Sequence, residues 1–493
     1  MIRLSLKSNG KRNIFLVYAL CMFILSCKKD LNFSKAVSFP STENTVASNT
    51  NYYVDPSSTS SLQDGSVNHP WKTLVQVNSN MDRFNPGDNI YFKKGQNFTG
   101  KLIISCSGSP TSPITFSTYG TGNAPVFQYD LGNAGKTSIS SRAIVYAAAG
   151  INNITIDGLR FTDATQSAST IHTAKTANVG YAIDFDGNGK VGCNGITLKN
   201  IDISLVGNAI EIHGNNNVVT NCKIYDLGSV VNLAGEAGEG NFGANGVTFS
   251  GSNNIISNNL FLRCWRSDLY WVYDGGAIEQ YGAIGGQCSN NQIMYNTVID
   301  CDGLTEWGGD NASDICNNNV LAYNLIINCN QTIALHNSKE HISNFQFYNN
   351  NVIETITQFE STSQLFGCDI TADLNTLILK NNIFWISKNV PSYWQLAKNT
   401  FINSGSGFIH TNNIYRMATG KLGFSLGSSE LNISLTAPLF TNTSSNDPSK
   451  WNYVLASSSP AIDKGAKLGF NSDLKGNIVF SGKAPDNGAI ESK

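Results

Sequence analysis

The chain has 493 residues, 41% of them hydrophobic and only 14% charged, and a formal net charge of −2. A large core can be buried, but no broad electrostatic attraction to nucleic acid follows, so any charged ligand must be met by a local patch. Asn, Gly, Ser and Thr fill the place of the missing charges. That mixture disfavours long helices and suits many short strands joined by turns.

Arg3, Lys7, Lys11 and Arg12 open the chain, followed by an apolar run, Ile14 to Leu25, too short to span a bilayer comfortably, and then Ser26 and Cys27. This resembles a bacterial lipoprotein signal, which implies cleavage before Cys27 and its lipidation. A plain secretory signal or an N-terminal anchor helix is the alternative. Lys28, Lys29 and Asp30 look like an outer-membrane or surface-export tag. The resemblance therefore implies a signal over 1–27 and contact with the outer membrane through a lipid only, on the periplasmic face or at the cell surface. Residues 28–50, rich in Ser, Thr and Asn without a period, read as a tether. Residues 51–493 are then one folded domain, expected as a monomer.

Within that domain the spacing of asparagine and cysteine sets the fold. Asn259 to Cys264 (NLFLRC), Asn296 to Cys301 (NTVIDC) and Asn324 to Cys329 (NLIINC) share one pattern, with weaker copies beginning at Asn221, Asn350, Asn382 and Asn413. The spacing is irregular, as expected for coils of minimal length carrying variable loops. Each unit is too short to bury its own apolar face, so the units must stack. Stacking places the asparagines in an amide ladder at a turn and the cysteines in a buried row. Of 11 cysteines, Cys21 and Cys27 lie in the leader, and the nine left over cannot all pair. The expectation is buried free thiols.

These repeats, over roughly residues 150–420, resemble the pectin-lyase-like family. Tyr52 to Asp55 (YYVD), Pro70 to Thr73 (PWKT) and Pro86 to Asp88 (PGD) look like its N-terminal capping region. Ser459 to Asp463 (SPAID) and Asn487 to Glu491 (NGAIE) look like its secreted C-terminal ending. The resemblance implies an all-β fold, a right-handed parallel β-helix that forms a single-stranded solenoid with loop insertions on one side. A short capping helix is expected near Trp71 to Met81.

A second register carries chemistry. Asp184, Glu211, Thr248, Glu279, Glu306 and His336 recur between apolar residues, with Asp186, His213, Ser250 and Tyr281 two positions on. Strand neighbours face opposite sides, so both sets should face outward on one sheet. Stacked carboxylates repel, and need a cation, raised pKa values or hydrogen-bond partners; a merely solvated acidic face is the competing reading. Insertions should gather beside this face. One, over 226–245, carries Glu236 and Glu239; the next brings Trp265, Arg266, Asp268, Tyr270, Trp271, Tyr273 and Asp274; the third brings Trp307, Asp310 and Asp314. Their aromatic rings could stack on sugar rings, or simply pack the loops down.

A glycosidase needs a carboxylic acid and a carboxylate. Glu279 is the expected acid, Glu211 or Glu306 the base or nucleophile, with Asp274 a further candidate. Substrate contacts are expected from His213, Trp265, Arg266, Trp271, Tyr273, Tyr281, Trp307 and His336. A polysaccharide lyase would instead use Arg263, Arg266 or Lys339 as base. No cofactor is required, although calcium held by Asp184 and Asp186, with Glu211 in a lyase, is admitted. A non-catalytic glycan-binding or adhesive surface protein would use the same groove.

Overall fold

In the computed structural model the described residues are 49–128, 143–172, 180–230, 242–267, 273–309, 311–335, 340–355, 359, 364–368, 376–387, 408–417, 425–479 and 482–492. The leader, Cys27 and residues 28–48 of the tether therefore lie outside them.

Three long sheets form the body. Two have twelve strands and one has nine among the described residues. The chain visits the sheets in rotation. Thus Thr197–Lys199, Asp202–Ser204 and Asn208–His213 each pair in parallel with Val218–Thr220, Lys223–Leu227 and Asn245–Ser250 of the following coil. Parallel strands linked through two other sheets make a β-helix, and strand twist sets such connections right-handed. The capping helix forms at Leu74–Asn78, where Thr73 and Gln76 bond reciprocally as a capping box.

Each coil alternates inward and outward side chains, and the inward ones build one continuous core. Phe92, Phe98, Phe127 and Phe161 stack through it at 4.8 to 5.3 Å between successive ring centres. Cys264, Cys301 and Cys329 are fully buried and free, and Cys264 N lies 3.4 Å from Cys301 Sγ. Cys106, Cys193, Cys222, Cys288 and Cys316 are free thiols as well. The expected sulfur row is therefore present.

The turns explain the paired asparagines of the sequence. Asn258, Asn349, Asn381 and Asn412 take φ of 52 to 60°, the left-handed region that asparagine tolerates better than most residues. Asn259, Asn350, Asn382 and Asn413, one position on, turn their side chains inward. In each of these buried asparagines the Oδ1 accepts the backbone N–H of the coil before. Asn259 N donates to Asn296 Oδ1 at 3.0 Å, Asn296 N to Asn324 Oδ1 at 3.0 Å, and Asn324 N to Asn350 Oδ1 at 2.9 Å. Each Nδ2 donates to a carbonyl such as Ile256 O, 2.9 Å from Asn296. The ladder continues through Asn382 and Asn413, and Glu430 closes it by accepting from Asn413 Nδ2 at 2.9 Å.

Two features differ from the sequence reading. Asn221 is not a ladder residue: it occupies the left-handed position at φ 54°, and Cys222 N meets Asn259 Oδ1 at 2.9 Å. A second ladder, Asn217, Asn254, Asn291 and Asn319, runs along another turn. Its members Asn254, Asn291 and Asn319 stand five residues before Asn259, Asn296 and Asn324, so the same cysteines follow them at an offset of ten.

Asn296→Ala should strand the buried amide of Asn259 and the carbonyl of Ile256 together. The expected loss is about 2–3 kcal/mol, read by chemical denaturation. An unchanged midpoint would count against the ladder as a stabilising element.

Candidate functional site

The nine-stranded sheet, from Leu102–Ile104 to Gln364–Cys368, carries the acidic ladder. Its register runs Tyr146, Asp184, Glu211, Thr248, Glu279, Glu306, Ala334 across successive strands. Ile183, Ile210, Val247, Phe249 and Ile278 on the same strands are buried in the core. Their alternation forces the carboxylates outward. The expected order of Asp184 through Glu306 is therefore observed. The position opposite Glu306 is Ala334 rather than His336, since the series had been extended there with the register shifted by two; His336 itself lies outside the described residues.

Glu279 is held by two donors from the neighbouring strand. Asn245 Nδ2 and Thr248 Oγ1 both donate to its Oε2, the latter at 3.2 Å. Burial drives its pKa well above the ordinary carboxyl range, and the negative neighbours Glu306, Asp274 and Glu211 push the same way. Asp184 is 3% exposed and is also raised well above the ordinary range, by burial first and then by Glu211 and Asp186, with Lys101 opposing.

Glu211 has a different environment. His213 Nε2 lies 2.9 Å from Glu211 Oε1, and His213 Nδ1 lies 2.8 Å from Ser250 Oγ. Asp274 is held by Arg266 Nη2 and by its neighbour Gly275 N at 2.8 Å. Arg266–Ser267 and Tyr273–Asp274 pair as a two-stranded antiparallel ribbon. That ribbon places the Asp274 carboxylate near Glu279.

The aromatic residues divide. Tyr281 is exposed beside the ladder at 52%. Trp265 packs one face on His172 at 4.4 Å and 9°, and meets Tyr273 and Phe359 edge-on at 5.7 and 5.9 Å. These rings hold loops together, so Trp265 is not an open sugar platform. Trp307 corrects the sequence reading more sharply. It is fully buried, edge-on to Phe249 and Phe345, with Nε1 donating to Thr305 Oγ1 at 2.8 Å. The cause is alternation: Glu306 faces out, so Trp307 must face in. Arg266, at 3% exposed, also cannot reach a substrate in the groove. Trp271 and Lys339 lie outside the described residues, as do Glu236, Glu239, Asp268, Tyr270 and Asp310.

Asp186 accepts from Tyr146 Oη at 3.3 Å and from Gly187 N at 2.7 Å. Among the described residues no group of three or more acidic, histidine or cysteine side chains converges as a metal site.

Tyr146, Lys101 and Asn245 belong to the site but were missed. Tyr146 precedes the recognised repeats. Lys101 precedes its strand. Asn245 is three positions from Thr248 and off the period-two pattern, so no periodic signal marks it.

These features define the class: a parallel β-helix protein with a row of outward carboxylates on one sheet. No protein-family model matches the chain. Over 82 residues, 16% of the chain, it is 35% identical to a lacto-N-biosidase of Bifidobacterium longum subsp. longum. The match spans 5% of that protein's length. Among solved structures, a pectate lyase aligns with TM-score 0.48 and 17% identity, over 91% of this chain and 98% of its own. A rhamnogalacturonan lyase aligns with TM-score 0.48 and 15% identity, over 74% and 87%. A lacto-N-biosidase from Eubacterium ramulus aligns with TM-score 0.35 and 14% identity, over 75% and 64%.

Trp307→Ala should cost about 3–5 kcal/mol by leaving a large core void, whereas Tyr281→Ala should leave the melting temperature nearly unchanged. Thermal unfolding of the two variants checks the inward and outward assignments. A stable Trp307→Ala protein would contradict them.

Proposed function

We propose that the chain is a carbohydrate-active enzyme that hydrolyses glycosidic bonds of a polysaccharide or oligosaccharide at the outward carboxylate row. The observation that carries this reading is the pair of unlike environments on one face. Glu279 is half-buried among negative neighbours and favours its protonated form. Glu211, two strands away, accepts a hydrogen bond from a histidine when Nε2 carries the proton. Carboxyls in unlike environments on one face are what glycoside cleavage needs: one gives a proton to the leaving oxygen, the other serves as base or nucleophile. The short match to a lacto-N-biosidase leans the same way.

A polysaccharide lyase is the second reading, favoured by Lys101. Its ammonium is half-buried, so desolvation lowers its pKa, with Asp184 opposing; a lysine of lowered pKa is a plausible proton acceptor. Two bases expected from the sequence are otherwise engaged. Arg263 is paired bidentately with Asp226 at 2.5 and 3.0 Å on a different sheet, and Arg266 is buried against Asp274. The two reactions separate cleanly on a polysaccharide panel. Hydrolysis yields reducing ends alone, while elimination adds the ultraviolet absorbance of an unsaturated uronide. Binding with neither product would mean a glycan-binding surface protein.

Under hydrolysis, Glu279→Gln should lower kcat by roughly 100-fold or more. Its melting temperature at neutral pH should hold or rise. The reason is linkage: a carboxyl whose folded pKa is raised above its unfolded value disfavours the folded chain once pH exceeds the ordinary carboxyl range, and Gln removes that penalty. Glu306→Gln removes one like charge beside Glu279. The alkaline limb of the pH–rate profile should then move to lower pH. Normal turnover of Glu279→Gln, or an unmoved limb, would remove this acid assignment.

The leader adds a proposal on location. The basic start, the apolar run and Cys27 support export with lipid attachment at Cys27, placing the domain at the outer membrane. Fatty-acid labelling of the expressed protein should be present in the natural chain and absent in Cys27→Ser. Equal labelling of both would refute it.

A further inference from the structure

We infer that the Arg266–Asp274 ion pair is a positioning device for the acid: the buried guanidinium fixes one carboxylate beside Glu279, and that fixed charge, without touching substrate, keeps the proton on Glu279. The inference rests on the hydrolytic reading, in which Glu279 is the acid. It gives Asp274, a catalytic candidate in the sequence, a role that acts through another residue.

Three observations carry it. The first is the clamp. Arg266 stands opposite Asp274 in the antiparallel ribbon. Its Nη2 donates to Asp274 Oδ2, and its Nε donates to Gly243 O at 3.2 Å. Gly275 N donates to Asp274 Oδ1 at 2.8 Å. Each carboxylate oxygen therefore already accepts a hydrogen bond, which suits a fixed anion better than a group that must exchange protons with a substrate. The Arg266 side chain is 3% exposed and that of Asp274 28%. Arginine keeps its charge at any working pH, so this partner of Asp274 is never lost.

The second is the path of the chain from the clamp to the acid. Gly275 and Gly276 follow Asp274 with φ of 111° and 145°, in the region that favours glycine. A Cβ on Gly275 would come within 2.9 Å of Ala244 O, and Gly276 N donates to that same oxygen at 3.3 Å. Gly276 pairs with Asn245, whose Nδ2 donates to Glu279 Oε2. The two glycines thus turn the ribbon into the strand Gly276–Tyr281 and deliver the clamped carboxylate to the corner that holds the acid. Apart from burial, the charges that act on Glu279 are Glu306 from the next strand, Asp274 from the ribbon and Glu211 from two strands before, in that order.

The third is what separates Asp274 from the other two. Glu279 and Glu306 face each other across one strand step. Carboxyls so placed titrate as a pair, and their mutual repulsion alone does not decide which keeps the proton. Asp274 has its own counter-charge and stays out of that exchange. A charge that does not move can break the tie, and the glycine turn directs it at Glu279.

The test follows kcat against pH for the full chain on the substrate that the polysaccharide panel identifies. Asp274→Asn keeps the shape of the side chain and removes its charge. Glu279 then gives up its proton at lower pH, and because the acid works protonated, the alkaline limb should move down by roughly one pH unit. On the acidic side kcat should fall by less than about 10-fold. A loss of roughly 100-fold or more at every pH with the limb unmoved would make Asp274 a group that meets the substrate, and overturns the inference. An unmoved limb with activity kept overturns it as well. In the Arg266→Gln background the same Asp274→Asn change should move the limb less than half as far, because Asp274 is no longer held; equal shifts in the two backgrounds overturn the clamp. An infrared titration of the neutral carboxyl band that disappears in Glu279→Gln reads the same proton without a substrate. Its midpoint should fall in Asp274→Asn, and a midpoint that stays overturns the inference even where Arg266→Gln fails to fold. A panel without reducing-end product overturns the hydrolytic reading instead, and the infrared midpoint keeps the two failures apart.

Discussion

The structure depends on how a stacked coil disposes of backbone amides at its corners. Strands pair along their length, but a turn between sheets leaves N–H and C=O groups that would be buried without partners. Two rows of asparagine side chains solve this by spanning from one coil to the next. Asn296 serves Asn259 N and Ile256 O together while passing its own N–H to Asn324. A side chain with one acceptor and two donors suits that position; aspartate would bring a buried charge, and glutamine is one methylene too long. Because each asparagine answers the coil before, the register of every coil is tied to that of its neighbour.

Tied register has a consequence at the surface. Once equivalent positions must lie above one another, an acidic residue in one coil meets whatever stands at the same place in the next. Glu279 faces Glu306 across one strand step, and Glu211 faces Asp184. Two ionised carboxylates in partial burial repel strongly, and the cheapest relief is for one to keep its proton. The fold thereby produces unlike carboxyls from like residues. Asn245, Thr248 and His213 then distinguish them further by hydrogen bonding.

The loops are secured by polar and aromatic contacts that resemble a binding surface when read as sequence. His172 stacks on Trp265 while its Nδ1 contacts Trp265 O at 2.7 Å, and Asp226 lies 3.6 Å from its Nε2. Burial alone would raise the Asp226 carboxyl, but the nearby His172 ring and the hydrogen bonds from Arg263 bring it down to about 2. Such charges and rings fasten an insertion to the solenoid, and a loop so fastened can hold Asp274 beside Glu279.

Much of the fold was open to sequence reasoning because repetition is a one-dimensional signal. The Asn-to-Cys offset marked a ladder and a sulfur row, and period-two alternation placed Asp184, Glu211, Thr248, Glu279 and Glu306 on one outward face, all of which the register bears out. Where the period ran out, so did the reading: Asn221 was displaced by one position, His336 by two, and Trp307 was taken for a loop residue although its place after Glu306 turns it inward. Tertiary structure alone decided which neighbours each carboxyl has. Alternation dictates which way a side chain points, whereas hydrogen bonds such as those from His213 to Glu211 and from Asn245 to Glu279 depend on distances of a few tenths of an ångström between coils. Those distances are set by packing and backbone register, which no single stretch of sequence contains.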